Sequence, residues 1–187
     1  MTLKATKSII QPSVRVLLLT MDTHLNSTVK RTIETLKRVA PFISLKIYSA
    51  TEYTNDERIL EKCRTDIAQA DIIFVGMLFL ENQFLPIIDD LKARRDQCDA
   101  LVCVVSAAEV VKLTKIGKFD MSKPASGPMA FIKKLKGDTT KKNASSGERQ
   151  MKMLRRVPKL LRFIPGTAQD LRAYFLCMQY WLSLIHI

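Results

Sequence analysis

The sequence predicts an α/β protein. The expected core is a Rossmann-like or flavodoxin-like parallel sheet of about four strands flanked by helices, followed by a basic linker and C-terminal helices. Three observations carry this expectation. Apolar runs of strand length recur at 14–21, 71–80 and 100–106. The stretches between them place apolar residues at helical spacing. Strands that are apolar on both sides need cover on both faces, which crossover helices supply. Right-handed crossovers then favour the strand order 2-1-3-4.

The elements follow in order. "VRVLLLTM" (14–21) is the first strand. In "NSTVKRTIETLKRVAP", Val29, Ile33, Leu36 and Ala40 form one helical stripe, with Asn26 or Ser27 able to cap its start and Pro41 ending it. "ISLKIYSA" (43–50) alternates, as a half-covered edge strand does. "NDERILEKCRTDIAQA" (55–70) is a second helix, with Asp56 and Glu57 suited to its positive end. "DIIFVGMLFL" (71–80) is the third strand. "LPIIDDLKARRDQC" (85–98) is a helix with Pro86 near its start, and "ALVCVVS" (100–106) is the fourth strand. "AAEVVKLTKIG" reads as helical. The fourth strand is too apolar for a bare edge, so something else is expected to cover it, chain missing from this sequence being one source.

From Phe119 the texture changes. Residues 1–12 read as a polar tail, 13–118 as the α/β domain, 119–148 as a basic flexible linker and 149–187 as a helical segment. In "RQMKMLRRVPKLLRFIP", Met151, Leu154, Val157, Leu161 and Ile164 make an apolar stripe, and Pro158 is expected to kink the helix or start a second one. "TAQDLRAYFLCMQYWL" (167–182) begins with a Thr cap and gathers Leu171, Phe175, Met178 and Trp181 on one face. From Ala173 to the end there are 15 residues, fewer than the roughly 20 that a membrane span needs. No transmembrane segment is expected. An exposed amphipathic tail beside an edge strand would make the chain poorly soluble.

Charge is distributed unevenly. Residues 1–110 hold 14 Lys/Arg and 14 Asp/Glu, whereas residues 111–162 hold 15 Lys/Arg against Asp120, Asp138 and Glu148, which accounts for the net +12. Lys152, Arg155, Arg156, Lys159 and Arg162 form a basic, partner-facing stripe. Such a stripe can hold nucleic acid through phosphates, lie on an anionic membrane, face an acidic partner, or be a solvated face. Aromatic residues are sparse here and no nucleic-acid-binding motif is visible. Four cysteines without a CxxC pair read as small buried hydrophobes in a reducing compartment. With no leader of secretory type, the chain reads as cytoplasmic.

Few residues suggest chemistry. The loop "TMDTHLNST" after the first strand has no glycine, which argues against a dinucleotide pyrophosphate site. No Asp ends the third strand where a phosphoacceptor would stand. Ligands of open α/β sheets bind at the C-terminal strand ends, which makes Asp22, His24, Glu81 and Ser106 the candidate ligand-binding residues. No catalytic residue and no metal site is expected.

"DIIFVGMLFLEN" (71–82), "FDMSKPASGPMAFIKKLKG" (119–137) and "MLRRVPKLLRFIPGTAQDLRAYFLCMQYWL" (153–182) resemble the N-terminal region of the large, porphyrin-binding subunit of magnesium chelatase. The resemblance is closer to the bacteriochlorophyll type than to the cyanobacterial or plant type. It implies a fragment of a much longer subunit that works with two smaller subunits, one an ATPase ring. Together they insert Mg²⁺ into protoporphyrin IX in (bacterio)chlorophyll biosynthesis. Protoporphyrin IX, Mg²⁺ and ATP then belong to the whole complex, and none binds this fragment. The expected partners are the rest of the large subunit and the two smaller subunits, with no nucleic acid. The alternatives are a cobaltochelatase large subunit, or a basic non-enzymatic module docking on nucleic acid or an acidic partner. The last six residues, "LSLIHI" (182–187), match a reading frame of a transposon sequencing adaptor and are expected to be a sequencing scar.

Overall fold

The computed structural model describes residues 13–23, 25–124 and 155–185. Four strands build the centre: β1 (Val14–Thr20), β2 (Ile43–Ser49), β3 (Ile72–Gly76) and β4 (Ala100–Val104). The helices α1 (Leu25–Val39), α2 (Ala50–Tyr53), α3 (Glu57–Gln69) and α4 (Glu81–Arg94) connect them. β1 pairs in parallel with β2 and β3, and β3 with β4, so the parallel part has the expected order 2-1-3-4. The alternation of strand side chains sorts the apolar residues into two layers. Leu17, Leu19, Ile73, Val75, Leu101 and Cys103 face a core closed by Leu60, Cys63 and Ile67 of α3 and by Ile87 and Leu91 of α4.

Polar clamps fix this register. The Arg15 amide and guanidinium donate to the Asp71 carboxylate at 2.8, 3.1 and 2.8 Å, tying β1 to the start of β3. The Asp56 side chain accepts from the Arg58 amide at 2.8 Å and caps α3. Arg94 donates to the Ala70 carbonyl at 2.9 and 2.8 Å, linking the end of α4 to the end of α3.

The chain itself supplies the cover for β4. The expected helix at 107–117 lasts one turn, α5 (Ala108–Val111), and then gives way to the hairpin β5 (Lys115–Ile116) and β6 (Phe119–Asp120). β5 pairs antiparallel with β4, and β6 with β5, so the sheet has six strands and is mixed. The Thr114 hydroxyl replaces a strand partner beside β4: it accepts from the Cys103 amide (3.0 Å) and donates to the Cys103 carbonyl (3.1 Å). Gly117, at φ +53°, opens the two-residue hairpin loop. The expected boundary at 118 therefore falls inside the hairpin, and residues 119–123 are folded rather than linker. Arg95 donates to the Leu113 carbonyl at 2.9 Å and bonds Asp120, while Asp120 accepts from the Ser122 amide (2.9 Å) and hydroxyl (2.7 Å).

The second face of the sheet is covered by the C-terminal helices, α6 (155–161) and α7 (Thr167–Ile185). Val157 and Leu161 of α6 and Ala168, Leu171, Tyr174, Phe175 and Trp181 of α7 pack with Val102, Val104 and Phe119, with Phe74 against the same cluster. The amphipathic face expected for α7 is thus the lid of a second core, and neither it nor the edge of β4 is left bare. Pro158 lies in the first turn of the described part of α6, and the chain leaves the helix at 162–166, where Gly166 has φ +79°. One detail differs from expectation. Thr167 is the first residue of α7 rather than its cap. The Asp170 carboxylate accepts from the Lys118 amide at 2.9 Å and pins α7 to the hairpin loop.

Candidate functional site

The C-terminal ends of the parallel strands form one tightly stitched edge. Met77 and Val105, which follow β3 and β4, have φ +63° and +48°. Such values are strained for side chains of this kind, by about 1–3 kcal/mol each. The surrounding bonds hold them. The Met77 amide donates to the Val105 carbonyl at 3.0 Å, and the Ala107 amide to the Leu78 carbonyl at 2.8 Å. The Ser106 hydroxyl accepts from the Leu78 amide (3.1 Å) and donates to the Val104 carbonyl (3.0 Å). Gln83 accepts from the Phe79 and Leu80 amides at 2.9 and 3.1 Å, fixing the entry to α4.

The expected ligand residues are placed as follows. Asp22, Glu81 and Ser106 all lie at this edge. Ser106 spends its hydroxyl on stitching the two loops. Glu81 is exposed as the first residue of α4. Asp22 is half-buried, and its amide donates to the buried Thr20 hydroxyl at 3.2 Å. His24 lies outside the described residues, as does Lys152 of the basic stripe. Arg155, Arg156, Lys159 and Arg162 are exposed on α6 and just beyond it.

Trp181 was not expected here. Its ring lies against Phe74, with centroids 5.0 Å apart, and over Gly76, the last residue of β3. A Cβ at position 76 would come 2.7 Å from Trp181 Cζ2, so only glycine admits the indole. Gly76 pairs with Thr20 of β1, so Trp181 packs at the switch point between β1 and β3, where ligands of such sheets bind. The indole N–H is buried and meets no acceptor among the described residues. The sequence signal was a glycine closing an apolar strand, and nothing local linked it to a tryptophan 105 residues later.

Elsewhere the chemistry is quiet. A depression of about 130 Å³ beside β1, β2 and α3 is lined by Arg15, Ser44, Lys46, Asp66 and neighbouring residues, against the roughly 300–1,000 Å³ of ordinary ligand sites. Its charged groups are already paired: Asp66 accepts from Lys46 Nζ at 2.7 and 2.9 Å and from the Tyr48 hydroxyl at 2.7 Å, and Arg15 is held by Asp71. The four cysteines are free thiols, and burial pushes Cys63 and Cys103 up to about 12, which keeps them protonated and inert. Among the described residues, no three His, Cys, Asp or Glu side chains gather in a way that could hold a metal ion. No helix among them is long and apolar enough to cross a membrane.

A family model described as domain of unknown function (DUF3479) matches residues 15–175, from β1 to the middle of α7. The chain belongs to this DUF3479 family. It is 43% identical over 172 residues to the magnesium-chelatase H-subunit of Cereibacter sphaeroides, a match covering 92% of the chain and 14% of the relative. It is 42% identical over 168 residues to the magnesium-chelatase H-subunit of Rhodobacter capsulatus, covering 90% of the chain and 14% of the relative. Identity to the chloroplastic magnesium-chelatase ChlH of Oryza sativa subsp. indica is 30% over 178 residues, 92% of the chain and 12% of the relative. The resemblance to the chelatase large subunit, closer to the bacterial form than to the plant form, is therefore borne out. The DUF3479 chain spans about one seventh of the length of the two bacterial relatives, at 14% of each.

Proposed function

We propose that this chain is the N-terminal part of the porphyrin-binding subunit of a magnesium chelatase, acting in the cytoplasm in (bacterio)chlorophyll biosynthesis. The observation that carries the reading is 43% identity sustained across 92% of the chain. In this reading Mg²⁺, protoporphyrin IX and ATP are substrates of the whole assembly. The partners are the remainder of the large subunit and two smaller subunits.

This chain's own role is architectural. Two features support that division of labour. The strand-end edge commits Ser106 to backbone bonds, and Trp181 packs over Gly76 at the switch point. The test is reconstitution. A full-length large subunit with its two partners should produce magnesium protoporphyrin, read by fluorescence, whereas the 187-residue chain with the same partners should produce none. The chain alone should leave protoporphyrin fluorescence unchanged. Metallation or tight porphyrin binding by the isolated chain would refute the assignment of an architectural role.

A further inference from the structure

Trp181 is seated like an occupant that can leave. The side chain is 7% exposed, and its indole N–H is buried with no acceptor among the described residues. A buried donor without a partner penalises the closed form alone, because water accepts from it once the ring is released.

The end of α7 is also held more lightly than its start. Leu171, Tyr174 and Phe175 bury the first half of the helix. Asp170 accepts from the Lys118 amide, and Arg172 donates to the Pro158 carbonyl at 3.1 Å. Beyond Phe175, Trp181 is the one buried side chain among the described residues, with Cys177 and Met178 half-buried. Tyr180, its neighbour, is 71% exposed.

The seat itself has the character of a ligand site. Gly76 offers bare backbone where a Cβ would come 2.7 Å from the ring, and Phe74 offers a second ring with centroids 5.0 Å apart. Met77 and Val105, which follow the two strands that end here, hold positive φ. Strain of this kind gathers where proteins bind or switch. Core packing alone requires neither a glycine seat nor strained loops, and open α/β sheets take their ligands at this crevice.

We propose that Trp181 is the gate of a latent binding site at the β1/β3 switch point. The end of α7 beyond Phe175 swings out, the indole passes into water, and a flat aromatic molecule of one or two fused rings takes its seat between Phe74 and Gly76. The ligand class follows from the seat. It is thin where Gly76 has no Cβ, apolar against Phe74, and only as large as the indole it releases. The porphyrin of the chelatase reading is far larger than that space. The inference is therefore independent of that reading, and its failure leaves the reading intact. The closed form predominates, so the open fraction limits the apparent affinity.

The test uses the whole chain and free indole as the probe. Equilibrium dialysis reads the binding, and nuclear magnetic resonance reads the Trp181 Nε1–H, the only indole N–H in the chain. Wild type should bind free indole saturably, while the Trp181 N–H signal moves to the position of a solvent-exposed indole. Trp181→Ala removes the gate and should bind at least about tenfold more tightly, because no closed fraction competes. Adding Gly76→Ala places a Cβ in the seat and should weaken that binding at least about tenfold, the range one methyl group commands in a fitted apolar pocket. Gly76→Ala alone should show the Trp181 N–H already in water, with the probe unbound. Far-UV circular dichroism establishes that each variant is folded, and should Trp181→Ala unfold, wild type and Gly76→Ala decide the matter. Wild type that leaves indole unbound, or binds it with the Trp181 signal unmoved, overturns the proposal. So does equal affinity of Trp181→Ala with and without Gly76→Ala, for then the ring sits elsewhere.

Discussion

Asp120 lies where the composition turns basic and linker-like, yet its carboxylate is nearly buried between Arg95 and Ser122. Burial works to raise its pKa, but the Ser122 hydroxyl and amide and the Arg95 guanidinium outweigh it and hold the group below the ordinary carboxylate range. A depressed pKa contributes stability that is present above the unfolded value, about 3.9, and lost as pH falls through the folded value. Asp120→Ala should therefore cost about 1–3 kcal/mol near neutral pH, because it leaves the largely buried Arg95 guanidinium with only the Leu113 carbonyl, the Ser122 hydroxyl and the exposed Asp96 carboxylate as partners. The gap from wild type should close as pH drops below about 4, which urea denaturation across that window would reveal. Trp181 offers a second residue-scale test. Gly76→Ala should displace the indole at a cost of about 1–3 kcal/mol, with a shift in the emission of the chain's sole tryptophan.

At the scale of elements, the β5–β6 hairpin and α7 stabilise one another. The hairpin shields the edge of β4, and Asp170 of α7 accepts from the Lys118 amide in its loop. Asp170→Ala should cost about 1 kcal/mol by replacing that bond with one to solvent. Gly117→Ala meets two penalties, the positive φ and a Cβ 2.8 Å from Asp170 Oδ2. The steric part disappears once Asp170 is shortened. The double variant should be less destabilised than the sum of the single variants, a coupling that a denaturation-based double-mutant cycle measures directly.

For the whole molecule, the sheet is the shared wall of two cores, one under α3 and α4 and one under α6 and α7. Phe74 points to one side and Ile73 to the other, so neither core can loosen without exposing the strand between them. Ile73→Ala and Leu171→Ala should each cost about 2–5 kcal/mol. Both should shift one unfolding transition, coincident by far-UV circular dichroism and by Trp181 fluorescence. Two separated transitions would show that α6 and α7 form an independently folding layer.

The four parallel strands, their order, the helices between them, the apolar face of α7 and the kinship with the chelatase large subunit were all legible in the chain's residues. These features are written locally, as apolar runs, helical periodicity and long distinctive stretches. Other features emerge only on folding. Strands of two residues carry no period, so the hairpin at Lys115–Asp120 read as helix and linker. Ser106 looked like a ligand residue, yet in the fold its hydroxyl is bonded to Leu78 and Val104. Gly76 and Trp181 meet only because α7 returns across the sheet. Contacts between distant residues depend on how the layers close, and side-chain periodicity along the chain does not encode that closure.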